Sequence, residues 1–169
     1  GTHIDFPNHF FENGATSEKY GPDFWICENV FLINNPAQED EIILLDYNCI
    51  NSIPSDVEFI IIKTGFGKYR GEEKYWKNNP GLSPNNAERL RTRFKKLKMV
   101  GMDFISLTAF QHREIGRAAH REFLGGDSPI LLVEDMKLDN LSHSPVAIFC
   151  SPLLVSGIDG APITIIAKI

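Results

Sequence analysis

The first ten residues, GTHIDFPNHF, concentrate groups able to do chemistry: His3, Asp5 and His9. Pro7 locks its own φ, lacks an N–H and pushes Phe6 toward extended backbone, so the segment is not expected to be helical. Side chains alternate along an extended chain, which puts His3, Asp5 and Pro7 on one side. An imidazole and a carboxylate side by side on a short extended run can ligate a borderline divalent cation such as zinc or manganese. His9, on the same parity just past the proline, is placed to be a third ligand or a proton carrier. The decapeptide alone is a weak signal, because histidine and aspartate are common in polar loops.

Two later positions extend the set. His120 sits near the C-terminal end of a helical pattern, and Glu134 follows the next apolar run. A single histidine on a helix usually packs or faces solvent, and an acid at a strand end usually meets water, so the case rests on the group. Five N/O donors suffice for one or two divalent ions. No thiolate motif accompanies them, which points to hydrolytic rather than structural metal use. His143, in a polar turn, and His112, expected to cap a helix or face solvent, stay outside the set.

The elements that must position these groups are read from apolar pattern and turn chemistry. Residues 12–22 form a polar loop. Residues 25–34 (WICENVFLIN) and 41–46 (EIILLD) read as strands separated by the turn cluster NPAQED. Residues 57–64 (VEFIIIKT), apolar on both faces at their centre, read as an interior strand. A long loop over 69–80 precedes Ser83 as N-cap and Pro84 at the first helical position. The helix that follows has Ala87, Leu90, Phe94 and Leu97 on its core stripe. Arg89, Arg91, Arg93, Lys95 and Lys96 lie on the other side and read as a solvated face. Residues 102–107 resume as a strand, making a strand–helix–strand crossover. A second helix over 114–124 is closed by Gly125 and Gly126. Strands follow at 129–133, 146–154 and 163–169. The expected fold class is α+β or α/β: a β-rich single domain spanning 1–169, with two main helices.

Composition bounds the rest. A chain of 169 residues can bury about 70% of its unfolded surface. Hydrophobic residues at 43% and charged residues at 23% exclude a disordered or membrane-dominated chain. No apolar run approaches the roughly 20 residues that span a bilayer, and no secretory leader opens the chain, so a cytoplasmic protein is expected. A formal charge of −5 argues against a nucleic-acid surface. Cys27, Cys49 and Cys150 are far apart and form no CxxC pair, which suits free thiols in a reducing compartment. The chain begins inside a ligand-bearing stretch, so a further N-terminal portion is expected before Gly1. Many strand edges without partners predict a homo-oligomer.

GTHIDFPNHF resembles the HxGTHxDxPxH signature of the metal-dependent cyclase-like hydrolases, the family of bacterial kynurenine formamidase and isatin hydrolase. KTGF at 63–66, YWKNNPGLSPNNAERL at 75–90, VGMDFIS at 100–106, AHREFL at 119–124, VEDMKLDNL at 133–141 and GIDGAPITIIAKI at 157–169 are similar to family blocks, in the family's order. The resemblance implies a swivelling β/β/α fold whose N-terminal strands are missing from this sequence. It implies His3, Asp5, His120 and Glu134 as ligands of one or two Zn²⁺ or Mn²⁺ ions, with Asp5 as the bridge if there are two. His9 becomes the proton-transfer residue. The signature's first histidine would fall two positions before Gly1, and Thr108 stands where the family often has an acid. The implied activity is hydrolysis of an aryl formamide or small cyclic amide, N-formylkynurenine or a relative, by metal-activated water. Phe10, Phe11, Tyr20, Trp25 and Phe66 are candidates for the wall of an aromatic substrate pocket. The rival reading is a non-catalytic metal-binding relative that serves as a binding or assembly module. Replacing His9 with alanine separates the two.

Overall fold

The computed structural model describes residues 1–169. Its central strand is the candidate ligand segment itself. β1 (His3–Asp5) alternates as expected, with Ile4 fully buried on the face opposite His3 and Asp5. Ahead of the first crossover lie β2 (Ile26–Cys27), β3 (Val30–Asn34), β4 (Ile42–Ile43), α1 (Tyr47–Ser52) and β5 (Phe59–Lys63). Then come α2 (Lys74–Lys77), β6 (Gly81–Leu82), α3 (Asn85–Arg93), β7 (Met99–Met102) and α4 (Arg113–Leu124). β8 (Leu131–Glu134), β9 (Ala147–Pro152) and β10 (Gly160–Lys168) complete the chain.

Eight strands form one sheet in the order β2-β9-β10-β1-β8-β7-β5-β3, and β4 and β6 form a separate parallel pair. From β2 to β8 every pairing is antiparallel; from β8 to β3 every pairing is parallel. The expected crossover is present as β5–α3–β7, and β7–α4–β8 repeats it. Phe59–Ile62, Met99–Met102 and Leu131–Glu134 are buried throughout, as parallel strands covered on both faces must be. One apolar cluster of 40 buried residues joins these strands to both long helices. The fold is thus the expected strand-rich mixed α/β arrangement, and no helix is long and apolar enough to cross a membrane.

Several elements depart from the sequence pattern, each for a long-range reason. The run at 25–34 is two strands: β2 pairs with β9 and β3 with β5, at opposite ends of the sheet order. Between them the N–H groups of Glu28 and Asn29 both donate to Glu58 Oε2, at 2.8 and 3.3 Å. The strand expected at 41–46 shrinks to β4, because the Leu45 N–H is taken by the buried Asn86 side chain rather than by a neighbouring strand. Asp46 then caps α1 by accepting from the Cys49 N–H at 2.7 Å. The strand expected at 102–107 lies earlier, as β7 at Met99–Met102, and the Asp103 carboxylate turns away to accept from Thr64 and Gly65. The 69–80 loop contains the single turn α2. In α3 the supposed solvated face is partly used: Arg89 donates to the Leu45 carbonyl, and Arg91 donates to the carbonyls of Phe123 and Ser128. All three cysteines are free thiols.

Candidate metal centre and active-site cleft

The register of β1 builds the core of the site. His3 lies directly opposite Glu134 on β8, and Asp5 lies opposite Gly160 on β10. Cross-strand partners share a face, so His3 and Glu134 meet without any loop having to aim them. Glycine at 160 leaves room for the acid, since a Cβ there would stand 3.1 Å from Asp5 Oδ1. One ligand-type atom from each of His3, Asp5 and Glu134 lies within 4.8 Å of the others. α4 brings His120 to the same point, with Nε2 at 3.3 Å from Glu134 Oε1 and 3.7 Å from Asp5 Oδ2. His3 Nε2 is 3.3 Å from Glu134 Oε2, so the two imidazoles address separate oxygens of one carboxylate.

Neighbouring backbone sets the tautomers. His120 Nδ1 is 2.9 Å from the Gly116 carbonyl and His3 Nδ1 is 3.0 Å from the Gly1 carbonyl. A carbonyl only accepts, so each Nδ1 carries the proton and each neutral ring presents a bare Nε2 lone pair. Those lone pairs face carboxylate oxygens, an arrangement that is repulsive unless a proton or a cation lies between them. Asp5, Glu134 and His120 are 4%, 2% and 3% exposed, too dry for water to screen that repulsion. Without a metal, the cluster holds protons. The hydrogen bond to Glu134 raises His3 to about 9. Burial pulls His120 down, but hydrogen bonds to Asp5 and Glu134 outweigh it and lift the ring to about 10. Burial likewise works against the Glu134 carboxylate, which His120 and His3 nevertheless hold at about 2. Two imidazoles and two carboxylates with fixed tautomers are a donor set that fits a zinc- or manganese-type ion.

Outer contacts hold this cluster still. Glu134 Oε1 accepts from the Leu107 N–H at 2.8 Å. Thr108 sits 3.3 Å from His120 Nδ1 through its hydroxyl. It packs so tightly on α4 that any side chain at Gly116 would collide with it. The buried Asn79 fastens the same loop by donating to the carbonyls of Ser106 and Thr108 and accepting from the Phe110 N–H.

His9 stands apart from the four. A 3-10 turn over Pro7–His9 swings it off the strand, and its ring centroid lies 6.3 Å from that of His120. His9 Nδ1 is 2.9 Å from Asp159 Oδ2, and this contact draws the Asp159 carboxyl below its usual range. With Nδ1–H donated to Asp159, Nε2 is the free basic nitrogen. Asp159 is the candidate site residue that sequence reasoning missed. It lies in the SGIDGAP turn, 150 residues from His9, and nothing local distinguishes it from an ordinary turn aspartate.

These groups line one cleft of about 620 Å³, together with Phe10, Trp76, Ile105, Phe110, Arg113 and Arg117. Phe10 reaches the site, stacking on His120 at 4.8 Å between ring centroids. The other four expected wall aromatics do not line it. Trp25 and Tyr20 join Phe6 and Phe24 in an aromatic cluster of the core. Phe66, 1% exposed, packs on Tyr69 and Tyr75. Phe11 lies against Gly125 at the end of α4. Trp76 and Phe110 line it instead, Trp76 from the stretch read as a loop and Phe110 from the residues between the expected strand and the second helix.

Comparison with known proteins gives the family and agrees with the fold. Cyclase-like protein 1 of Arabidopsis thaliana is 26% identical over 166 residues, covering 96% of this chain and 63% of its own length. The chain spans between 59% and 63% of the length of the plant relatives it matches. Isatin hydrolase A from Labrenzia aggregata superposes with a TM-score of 0.77 at 21% identity, covering 99% of this chain and 73% of that one. A structure described as a potential metal-dependent hydrolase with cyclase activity superposes at 0.73 and 22% identity, covering 98% and 76%. Residues 1–109 match the family described as putative cyclase, and the chain belongs to that family.

Proposed function

We propose that this chain carries the active site of a metal-dependent amidohydrolase that cleaves an aryl formamide or small cyclic amide, of the N-formylkynurenine type. The observation that supports it most is the convergence of bare His3 and His120 Nε2 atoms with the carboxylates of Asp5 and Glu134, next to the His9–Asp159 pair. His3, Asp5, His120 and Glu134 would hold one or two Zn²⁺ or Mn²⁺ ions. Such an ion supplies Lewis acidity, polarising an amide carbonyl and acidifying a water to a pKa of about 7.

The chain's own residues do the proton work. His9 Nε2 removes a proton from the attacking water while Asp159 steadies the developing imidazolium through Nδ1–H. Oxygen adds to the carbonyl carbon, the C–N bond breaks, and His9 returns the proton to the leaving nitrogen. A formamide so cleaved gives formate and an arylamine; a cyclic amide gives one ring-opened amino acid. Asp159 does not change protonation in this cycle; it holds the ring.

The family's structural relatives, one of them named an isatin hydrolase, support the same reaction class. We take the protein to be cytoplasmic and homo-oligomeric, and a monodisperse monomer in light scattering would count against the second point. The deciding assay uses the full-length protein with Zn²⁺ or Mn²⁺. Formate release from N-formylkynurenine or ring opening of isatin is the expected result; no turnover on either, or on other aryl amides, rejects the reading.

A further inference from the structure

The proposed chemistry uses the inner end of the cleft and leaves two cations at its outer end without a task. Arg113 and Arg117 both line the cleft, on the same face of α4 as His120. Spacings of three and seven residues put them about 4.5 and 10 Å along the helix axis from the His120 level. The cleft's acids are already engaged: Asp5 and Glu134 face His120 and His3, and Asp159 faces His9. Arg117 is paired only with Glu114, whose side chain is 85% exposed. So open a surface pair contributes little and is readily exchanged. Arg113 forms no ion pair; its guanidinium lies over the Phe110 ring, 4.3 Å from the centroid. Stacking on an aromatic face restricts the side chain while leaving its N–H edge free for a planar anion.

Trp76 and Phe110, both half exposed, stand in the same wall. An aryl ring fits between such surfaces, and a substituent on its far side would meet the arginine pair. We propose that Arg113 and Arg117 form a carboxylate subsite that makes this chain selective for aryl amides bearing an anionic group remote from the scissile bond. The proposal rests on the hydrolase reading for the position of the amide, and on charge and geometry alone for the position of the acid.

The test compares formanilide with its meta- and para-carboxylated derivatives, using full-length protein loaded with Zn²⁺. Wild type should favour a carboxylated substrate in kcat/KM by roughly ten- to hundredfold, the worth of a charged hydrogen bond. In R113M/R117M that ratio should fall to near unity, and R113K/R117K should keep part of it, because lysine retains charge but not the planar fork. No preference in wild type, or a preference that survives R113M/R117M, overturns the proposal. If wild type hydrolyses none of these substrates, the hydrolase reading is decided by the assay on N-formylkynurenine and isatin, and calorimetric binding of carboxylated acetanilides decides the subsite separately. Binding weakened at least tenfold in R113M/R117M supports it, and absent or unaltered binding overturns it.

Discussion

The two ends of α4 meet the same cleft and could hardly be more different. At the inner end His120 is buried, its tautomer dictated by Gly116, its free nitrogen aimed at two carboxylates that are themselves pinned by strand register. At the outer end Arg113 and Arg117 are exposed and held by one ring and one solvent-facing acid. On the proposed function, the inner end is preorganised as groups that stabilise a reaction should be, since they must not need rearranging at the moment of reaction. The proposed subsite at the outer end is looser, as side chains that settle only on binding can be. His9 lies between these extremes: a partly exposed ring disciplined by a single acid.

The contrast can be broken hardest at Glu134. Glu134→Ala should abolish turnover and lower metal affinity by more than the roughly 10–100-fold that loss of an outer partner costs a metal site, read by metal analysis after dialysis. Retained stoichiometric metal would show that the inner end is not the ligand set. His9→Ala should cut kcat by roughly 10²–10⁴ with metal content intact, and an unchanged rate would remove His9 from the proton-transfer role. Asp159→Asn should be milder, about tenfold in kcat, because the exposed His9 ring can find the same tautomer in water. A fall in metal content instead would mean that the turn supports the cluster rather than the base.

A subtler distinction lies in the pH dependence of the metal-free protein. His3 and His120 are raised from 6.5 to about 9 and about 10, so their stabilisation is complete below 6.5 and is lost as pH rises through those values. Glu134 is lowered from 4.5 to about 2, so its stabilisation is present above 4.5 and is lost as pH falls through 2. With a chelator, the melting midpoint should be highest between pH 4.5 and 6.5 and decline on the alkaline side. Zn²⁺ should remove that alkaline decline by taking the place of the protons. A flat alkaline limb in chelator would contradict the shared-proton arrangement. The smallest effect belongs to the outer wall: Trp76→Ala should raise KM by about threefold with kcat unchanged, a loss of uniform binding.

The inner end was also the more legible of the two in the sequence. His3 and Asp5 announce their shared side through alternation and through Pro7, both local rules. The helix bearing His120 has a clear apolar stripe, and the strand ending at Glu134 has clear flanking turns. The convergence of these pieces was legible only by resemblance, because it depends on β1 pairing with β8 across 130 residues of chain. Asp159 had no local mark at all. Three of the expected wall aromatics lie away from the cleft for a simple reason: Trp25 and Phe66 are buried in the core, and the half-buried Tyr20 packs against it. Trp76 sits in the single turn α2, and Phe110 in a short segment fastened by the buried Asn79. Residues 25–34 look like one strand because each half is; only the curl of the sheet sends them to different partners.

That curl has a mechanical consequence. β2 and β3 are the outermost members of the sheet order, yet two residues of chain connect them, and both of those residues hang from Glu58 Oε2. The other oxygen of Glu58 grips Lys98 at 2.7 Å, and Lys98 in turn donates to the Ile26 carbonyl. One glutamate thus acts as the buckle of a belt wrapped around the core. Unfastening it would loosen both rims of the sheet together, since β2 and β3 share this one anchor.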